Sequence, residues 1–331
     1  MGQRRTVHER MRKPFTFRIA LLAAAAVIAA SVMLVFADYR RDISLARERV
    51  ATGSLVAQTP CGPIEYATLG QGKPVLIVHG AGGGYDQAQD FSALLAVNGM
   101  RGITMSRFGY LRTPLPADAS AAAQSDAHAC LLDALGIDKA AIIGVSAGAP
   151  SSIQFALRHP QRCNALVLLV PAAYAPRPAH AAPVATPRGT ALLFDSALKS
   201  DFLFWLMTKA ARRTMIRAIL ATPPELVDAA STEERSRVEK ILKQILPVSS
   251  RRTGLLNDAA VVGSIPRYAL ERISAPTLAI STADDLFGTF DIARYTAAQI
   301  PGARLVTYPD GGHLWIGHHD EVSAEIISFL Q

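Results

Sequence analysis

Short apolar runs recur along the chain, separated by longer segments of mixed polarity. Continuous apolar runs of roughly four to eight residues are typical of strands that are covered on both faces in a parallel sheet. Helix-favouring segments lie between several runs, at residues 117–135 and 149–159, and residues 320–330 form a last helical pattern. This alternation predicts an α/β fold in which helices cover both faces of a mostly parallel, eight-stranded sheet. The predicted strands are residues 53–58, 64–69, 75–78, 102–105, 140–145, 165–170, 277–280 and 304–308.

The strand rhythm stops at Pro171 and returns only at residue 277. Open α/β sheets bind ligands at the carboxyl edge of their strands, so a helical insertion between two halves of one sheet predicts a lid over that edge. The insertion begins with a Pro- and Ala-rich stretch, and its helical patterns are residues 192–220, 224–246 and 266–271. We therefore expect a core of residues 51–171 and 274–331 and a helical lid of residues 172–273.

Residues 19–37 form the longest apolar run, with no charge and with Ser31 as the only polar residue. This length is close to what a helix needs to cross the hydrocarbon core of a bilayer. Basic residues are concentrated in residues 1–18, and positive flanks stay cytoplasmic. We predict a cytoplasmic segment, a single transmembrane anchor at residues 19–37 of a bacterial inner membrane, a charged linker at residues 38–50, and a periplasmic body.

Two other interpretations of this apolar run stay open. The small residues around Val35-Phe36-Ala37 would suit cleavage of a signal peptide, although the run is longer than usual for one. An Ala-rich run of this kind also occurs in buried core helices.

The net charge of +7 does not indicate a nucleic-acid partner. Residues 1–18 supply +5 of it, so the body of the chain is nearly neutral. Cys61, Cys130 and Cys163 are scattered, without the spacing of a metal or redox site. We expect them to be small apolar core residues, with one disulfide outside the cytoplasm as the alternative.

The segment Gly144-Val145-Ser146-Ala147-Gly148 joins a predicted strand to a predicted helix. A serine on such a sharp turn adopts a strained backbone, and glycines on either side remove side chains that would collide with strand and helix. This pattern predicts a nucleophile elbow with Ser146 as the nucleophile and Gly144 and Gly148 as the elbow glycines.

A serine nucleophile needs a base, and the base needs an orienting carboxylate. His313 lies in Pro309-Asp310-Gly311-Gly312-His313-Leu314, directly after the last predicted strand. Asp284 and Asp285 follow the strand at residues 277–280. We predict His313 as the base and Asp285 as its carboxylate, with Asp284 bracing the turn; an ordinary Asx turn is the alternative for this pair.

Amide donors for the negative oxygen of a tetrahedral intermediate complete the predicted site. The amide of Ala147 is one candidate, because it follows the nucleophile. The other should come from His79-Gly80-Ala81-Gly82-Gly83-Gly84, with Ala81 as first choice and Gly82 as second. This loop lacks the spacing of a phosphate or dinucleotide site. His79 itself is expected to form structural hydrogen bonds.

Together, the three motifs His-Gly-Ala-Gly, Gly-Val-Ser-Ala-Gly and Gly-Gly-His-Leu resemble those of the α/β-hydrolase superfamily over residues 51–331. The resemblance implies a lidded serine hydrolase of the esterase, lipase and C-C hydrolase branches, acting on a carboxylic ester of a small or apolar molecule without metal or cofactor. A C-C bond hydrolase, an acyltransferase and a non-catalytic ligand sensor are the alternatives.

Two features bear on the substrate rather than on the chemistry. Ser106-Arg107-Phe108-Gly109-Tyr110 departs from the family's common Asp-x-x-Gly-x-Gly loop, which leaves the family's substrate preferences untransferable. The apolar residues 202–207 and the basic stretch after them are expected to form an ordinary amphipathic lid helix with a solvated basic face. The alternative is that they line an acyl or aromatic pocket and rest on an anionic membrane surface. Residues 249–252 and 257–258 are expected to be polar surface loops, with contact to a substrate carboxylate as the alternative.

Overall fold

A computed structural model describes residues 6–176 and 198–331 of the chain. Parts of three predictions lie outside the described residues, namely the first five residues of the basic segment, residues 192–197 of a predicted helix and residues 177–197 of the lid. The chain forms two compact units, Met1–Leu45 and Ala46–Gln331.

Helix α1, Thr6–Ala51, contains the long apolar run. Its part Ala20–Ala51 is long and apolar enough to cross a membrane, with a mean hydropathy of 2.6 over the most apolar window, none of which is buried in the structure. Residues 38–50, predicted as a charged linker, continue the same helix.

Eight strands form one sheet in the order β1-β2-β4-β3-β5-β6-β7-β8. The pairs β1/β2 and β2/β4 are antiparallel, and every other neighbouring pair is parallel. The predicted mostly parallel, eight-stranded sheet is therefore confirmed. The strands are β1 Leu55–Thr59, β2 Gly62–Leu69, β3 Lys73–Val78, β4 Met100–Met105, β5 Ala140–Val145, β6 Cys163–Leu169, β7 Thr277–Thr282 and β8 Arg304–Tyr308.

Side chains of the central strands alternate between two apolar layers. In β3, Leu76 and Val78 point to one layer, whereas Val75 and Ile77 point to the other. The first layer is covered by α3 (Ala121–Ala134), α4 (Ala149–Arg158) and α10 (Thr289–Gln299), and the second by α2 (Gln89–Val97) and α11 (His319–Leu330). Helices thus cover both faces, and the carboxyl ends of the parallel strands meet at one edge.

Between β6 and β7, the described residues of the insertion form helices and turns without a strand. The continuous pattern predicted at residues 224–246 is two helices, because Ser231 caps a new helix with a hydrogen bond from the Glu234 amide. Near residues 266–271 there is only a short 3-10 turn, Leu270–Arg272. The helices are α5 Asp201–Ala210, α6 Arg212–Ile219, α7 Pro224–Ala229, α8 Thr232–Gln244 and α9 Arg252–Gly263.

The expectation that all three cysteines are core fillers is wrong for two of them. Cys61 and Cys130 form a disulfide that links the turn between β1 and β2 to α3, with Cα atoms 6.2 Å apart. Sixty-nine residues separate them along the chain, so their proximity depends on tertiary packing. Cys163 is a buried free thiol, as expected, and burial raises its pKa to about 12.

Candidate active site

Ser146 lies immediately beyond the carboxyl end of β5, where the chain turns into α4. Its φ angle is +49°, in the left-handed region that residues with a Cβ rarely adopt. Such a conformation costs on the order of 1–3 kcal/mol and persists only where surrounding structure holds it. A hydrogen bond of 3.1 Å from the Ala172 amide to the Ser146 carbonyl is one such restraint.

The two elbow glycines are explained by close packing on both sides of Ser146. A Cβ on Gly144 would lie 2.6 Å from Ser152 Oγ, so α4 would have to move away from the strand. A Cβ on Gly148 would overlap the carbonyl oxygen of Val78 at the end of β3. Glycine at both positions therefore lets strand, turn and helix approach closely enough to form this turn.

His313 and Asp285 are brought together from the ends of two neighbouring strands. His313 Nδ1 lies 2.7 Å from Asp285 Oδ2, and both side chains are buried. The carboxylate also accepts hydrogen bonds from the Phe287 amide at 2.8 Å and from the Thr289 hydroxyl. Because a carboxylate accepts at Nδ1, the neutral imidazole carries its proton there and has a free electron pair on Nε2.

Asp284 has a different contact from Asp285. Its Oδ1 accepts a 2.8 Å hydrogen bond from the Gly312 amide, and the Thr282 hydroxyl donates to the Gly312 carbonyl at 2.7 Å. Asp284 therefore braces the histidine loop, which we define as residues 310–316. Gly312 has a φ of +61° and lies against Thr222 of the insertion, so a side chain there would be both strained and crowded.

Ser146 and His313 line one cavity of about 680 Å³ at the carboxyl edge of the sheet. Among the described residues, Ser146 Oγ and His313 Nε2 are not hydrogen-bonded to each other; such bonds often tighten only when substrate is bound. Ile219, Leu220 and Ile241 of the insertion also line this cavity.

The glycine loop, residues 79–84, follows β3 and contacts the elbow. A Cβ on Gly80 would lie 3.2 Å from Ser146 Cβ, closer than most such contacts, so glycine lets the loop approach the elbow without displacing it. The Gly82 amide donates to the Tyr110 hydroxyl at 3.1 Å and is therefore already occupied, which counts against Gly82 as a donor to a substrate oxygen. Ala81 lines the cavity together with Gly80.

His79 forms structural hydrogen bonds, as expected. Its Nε2 accepts from the Arg107 amide at 3.0 Å, and its Nδ1 lies 2.7 Å from the Gly80 carbonyl oxygen. Burial holds the pKa of His79 well below its ordinary value, and the nearby positive charge of Arg107 lowers it further. His79 is therefore neutral and connects the glycine loop to the segment that follows β4.

Arg107 and Asp258 form a buried, two-pronged ion pair beside the glycine loop, with N–O distances of 2.6 and 2.7 Å. The same guanidinium group donates to the Gly80 carbonyl at 3.1 Å. Burial lowers the pKa of Arg107, but the Asp258 carboxylate more than offsets this and leaves it raised. Asp258 also accepts a hydrogen bond of 2.5 Å from the Tyr110 hydroxyl.

A second buried pair holds the other end of the loop. Arg251 donates to Asp86 at 2.8 and 3.1 Å and to the Gly83 carbonyl at 2.5 Å. Both side chains are almost fully buried. The interpretation of residues 249–252 and 257–258 as polar surface loops is therefore wrong for Arg251 and Asp258, because both pair with charges of the core.

Sequence reasoning missed the residues of these two pairs. The one available signal was the unusual loop Ser106-Arg107-Phe108-Gly109-Tyr110, which places Arg107 and Tyr110 against Asp258. Among the described residues, no group of three or more His, Cys, Asp or Glu side chains could hold a metal ion.

Comparison with known proteins identifies the family of the chain. The family model of the alpha/beta hydrolase fold matches residues 73–319, so the chain belongs to that family and is a hydrolase, as predicted. The uncharacterized hydrolase YcgS of Bacillus subtilis is 28% identical, over 82% of this chain and 95% of that protein.

Two further similarities extend the comparison. The putative carbamate hydrolase RutD of Klebsiella pneumoniae is 30% identical, over 73% of this chain and 85% of that protein. Among solved structures, an alpha/beta hydrolase fold protein from Nakamurella multipartita is 26% identical with a TM-score of 0.66, and the match covers 84% of this chain and 98% of that one.

Proposed function

We propose that this protein is a serine hydrolase that cleaves carboxylic esters through a Ser146–His313–Asp285 triad. The observation that carries the proposal is the 2.7 Å contact between His313 and Asp285, with His313 and the strained Ser146 lining one cavity. Asp285 orients the imidazole and stabilises its charged form, and the free Nε2 acts as the base.

The reaction proceeds through two acyl transfers. His313 Nε2 takes the hydroxyl proton as Ser146 Oγ attacks the ester carbonyl carbon. The bond to the alcohol oxygen breaks, that oxygen takes the proton from His313, and the acyl group stays on Ser146. Water then attacks the acyl carbon and gives its proton to His313, and Ser146 regains a proton as the acid leaves.

The amides of Ala81 and Ala147 stabilise the negative oxygen in both steps. Ala147 follows the nucleophile in the 3-10 turn before α4, and Ala81 lies on the glycine loop that packs against Ser146. The occupied amide of Gly82 supports Ala81 as the second donor. Loss of one such donor costs roughly 10²–10³ in kcat.

The insertion at residues 172–273 acts as the lid, between the core segments 51–171 and 274–331. The apolar side chains that it contributes to the cavity wall support this role. In its basic stretch, Arg213 pairs with Glu225 and Asp228, and Arg212 pairs with Glu239. These ion pairs support a solvated helix face rather than a membrane contact.

An ester is the preferred substrate because the wall of the cavity near Ser146 is mainly apolar, with Ile219, Leu220, Phe287 and Leu314. The name of the Klebsiella relative makes a carbamate the second candidate, since its carbonyl can be attacked by the same groups. Diketones and added alcohol acceptors in the assay would expose a C-C hydrolase or an acyltransferase.

The membrane location is part of the same proposal. Helix α1 provides a single-pass anchor, and its basic flank favours a cytoplasmic amino end with the hydrolase body in the periplasm. The Cys61–Cys130 disulfide supports an oxidising compartment. Maleimide labelling of acid-quenched, denatured cells should modify Cys163 alone; modification of all three cysteines would contradict a periplasmic body.

Replacement of the nucleophile tests the proposed reaction. In full-length, detergent-solubilised protein, Ser146→Ala should abolish both ester turnover and labelling by a fluorophosphonate probe while circular dichroism stays unchanged. Ser236→Ala, an exposed serine on α8, is the matched control and should keep both activities. Labelling that survives in Ser146→Ala would refute the assignment, and a wild-type protein that is never labelled would favour a ligand sensor.

A further inference from the structure

The cavity at Ser146 continues well beyond the proposed catalytic residues. It is lined by one face of α11, at positions separated by three or four residues, and by one face of α2. We name this continuation the α2–α11 groove. Its lining residues on α11 and its end are Asp320, Ser323, Ala324, Ile327, Ser328 and Gln331, and those on α2 and its end are Asp90, Phe91, Leu94 and Asn98.

The groove runs along the direction of the strands, from the carboxyl edge of the sheet to its amino edge. Ser146 lies at the carboxyl edge, whereas Gln331 lies at the amino edge, because Lys73 at the start of β3 donates to the Gln331 carbonyl at 2.5 Å. The eleven steps from Asp320 to Gln331, the residue after the end of α11, correspond to about 16 Å at the helical rise. The cavity is therefore elongated rather than a compact pocket around the serine.

The apolar part of the groove lining comes from both facing helices, among the polar side chains named above. Leu94 and Ile327 lie on the two facing helices, and Phe91 packs edge-on against Trp315 with ring centroids 6.3 Å apart. Two charged lining residues are held by partners, since Asp90 pairs with Lys240 at 2.7 Å and Arg237 pairs with Glu234 at 2.8 Å. A long aliphatic chain would be desolvated along this path without displacing those pairs.

We propose that the α2–α11 groove binds the acyl chain of a long-chain carboxylic ester, which rests on the proposed function of Ser146. The orientation of the ester in the cavity follows from the position of His313, which gives its proton to the departing alcohol. Beside His313 the exposed Phe287 ring packs edge-on at 5.0 Å. The alcohol therefore leaves past Phe287, whereas the acyl chain enters the groove beside α2, the helix that follows the glycine loop.

The first test varies the acyl chain of p-nitrophenyl esters from butyrate through octanoate and laurate to palmitate, in mixed micelles with full-length protein. Burial of each added methylene should raise kcat/KM by up to about fourfold until the groove is filled. A second series, acetates of alcohols of the same lengths, should show no such rise. A rise in the alcohol series alone would place the alcohol in the groove and overturn the proposal.

The second test blocks the groove at two depths. Ala324→Trp should lower kcat/KM by about tenfold for laurate and palmitate, with the smallest loss for butyrate. Ser328→Trp lies one turn, about 6 Å, further from Ser146 and should impair palmitate most selectively. Ala93→Trp, on the exposed face of α2 outside the groove, is the matched control and should leave the whole chain-length profile unchanged.

Failure of this proposal and failure of the proposed function give different results. If Ser146→Ala still hydrolyses butyrate, the triad itself is refuted. If hydrolysis requires Ser146 but declines from butyrate to palmitate, and Ala324→Trp matches Ala93→Trp, the acyl groove is refuted while the hydrolase remains.

Discussion

The glycine loop and the histidine loop flank Ser146 and are held in different ways. Carbonyls of the glycine loop accept hydrogen bonds from Arg107 and Arg251, each paired with a buried aspartate. The histidine loop is held at Gly312 by a carboxylate and a hydroxyl of the core. The insertion contacts this loop through the Ala221 carbonyl, which accepts from the His313 amide at 3.4 Å, and through the partly exposed Arg237, which donates to the Leu314 carbonyl at 2.8 Å.

This difference separates the two halves of the proposed chemistry. The proton-transfer half, His313 and Asp285, is held mainly by the core, and the charged side chain that the insertion adds there, Arg237, is only partly buried. The half that would stabilise the negative oxygen depends on charged side chains of the insertion, Arg251 and Asp258. Because a buried charge that loses its partner is costly, changes in the insertion should disturb the glycine loop more than the histidine loop.

Asp285→Asn should produce the largest effect, on the proton-transfer half alone. An amide that donates to His313 Nδ1 favours the tautomer with its proton on Nε2, which leaves no free electron pair there for the base. We therefore expect kcat to fall by about 10⁴ while KM and thermal stability change little. Asp291→Asn on the exposed surface of α10 is the matched control and should behave as the wild type. Loss of less than tenfold in kcat would show that Asp285 does not orient the base.

Asp258→Asn should produce the next largest effect, on the glycine loop. The change leaves the Arg107 guanidinium buried beside a neutral group, at a cost of about 3–5 kcal/mol in the free energy of unfolding. Because Arg107 then positions the Gly80 carbonyl less firmly, kcat should fall by about 10²–10³ with a smaller change in KM. Steady-state kinetics below the melting temperature and a thermal unfolding curve would measure both effects.

Two companion variants show whether the rate falls through the loop or through general instability. Asp86→Asn breaks the second pair, which holds Gly83 rather than Gly80, and should destabilise similarly with a smaller loss of kcat. Arg107→Met combined with Asp258→Leu removes both charges and should recover much of the stability but not the rate. Recovery of the rate as well would mean that the pair has only a structural role.

Much of the fold and the central part of the candidate site could be predicted because their signals are local. Apolar runs mark buried strands, and the residues that bear chemistry follow directly after the ends of β3, β5, β7 and β8. Parallel strands bring these ends to one edge, so Ser146, Asp285 and His313 could be expected together without knowledge of any long-range contact.

The contacts that were missed join residues far apart in sequence. Arg107 and Asp258 are separated by 151 residues, Asp86 and Arg251 by 165, and the disulfide cysteines by 69. A buried arginine and a solvated one look alike in a sequence, because the partner depends on how the insertion packs on the core. Helix α9, which carries Asp258, had no clear amphipathic signal and was not predicted.

The smallest predicted effect concerns Asp284, which braces the histidine loop. Asp284→Asn retains an oxygen that accepts from the Gly312 amide, so kcat should stay within about threefold of the wild type. Asp284→Ala removes that acceptor and should cost about 1 kcal/mol in the free energy of unfolding and about tenfold in kcat, as His313 becomes less well positioned. If Asp284→Asn lost about 10⁴ in kcat and Asp285→Asn lost little, the two carboxylates would have exchanged roles, and Asp284 rather than Asp285 would orient the base.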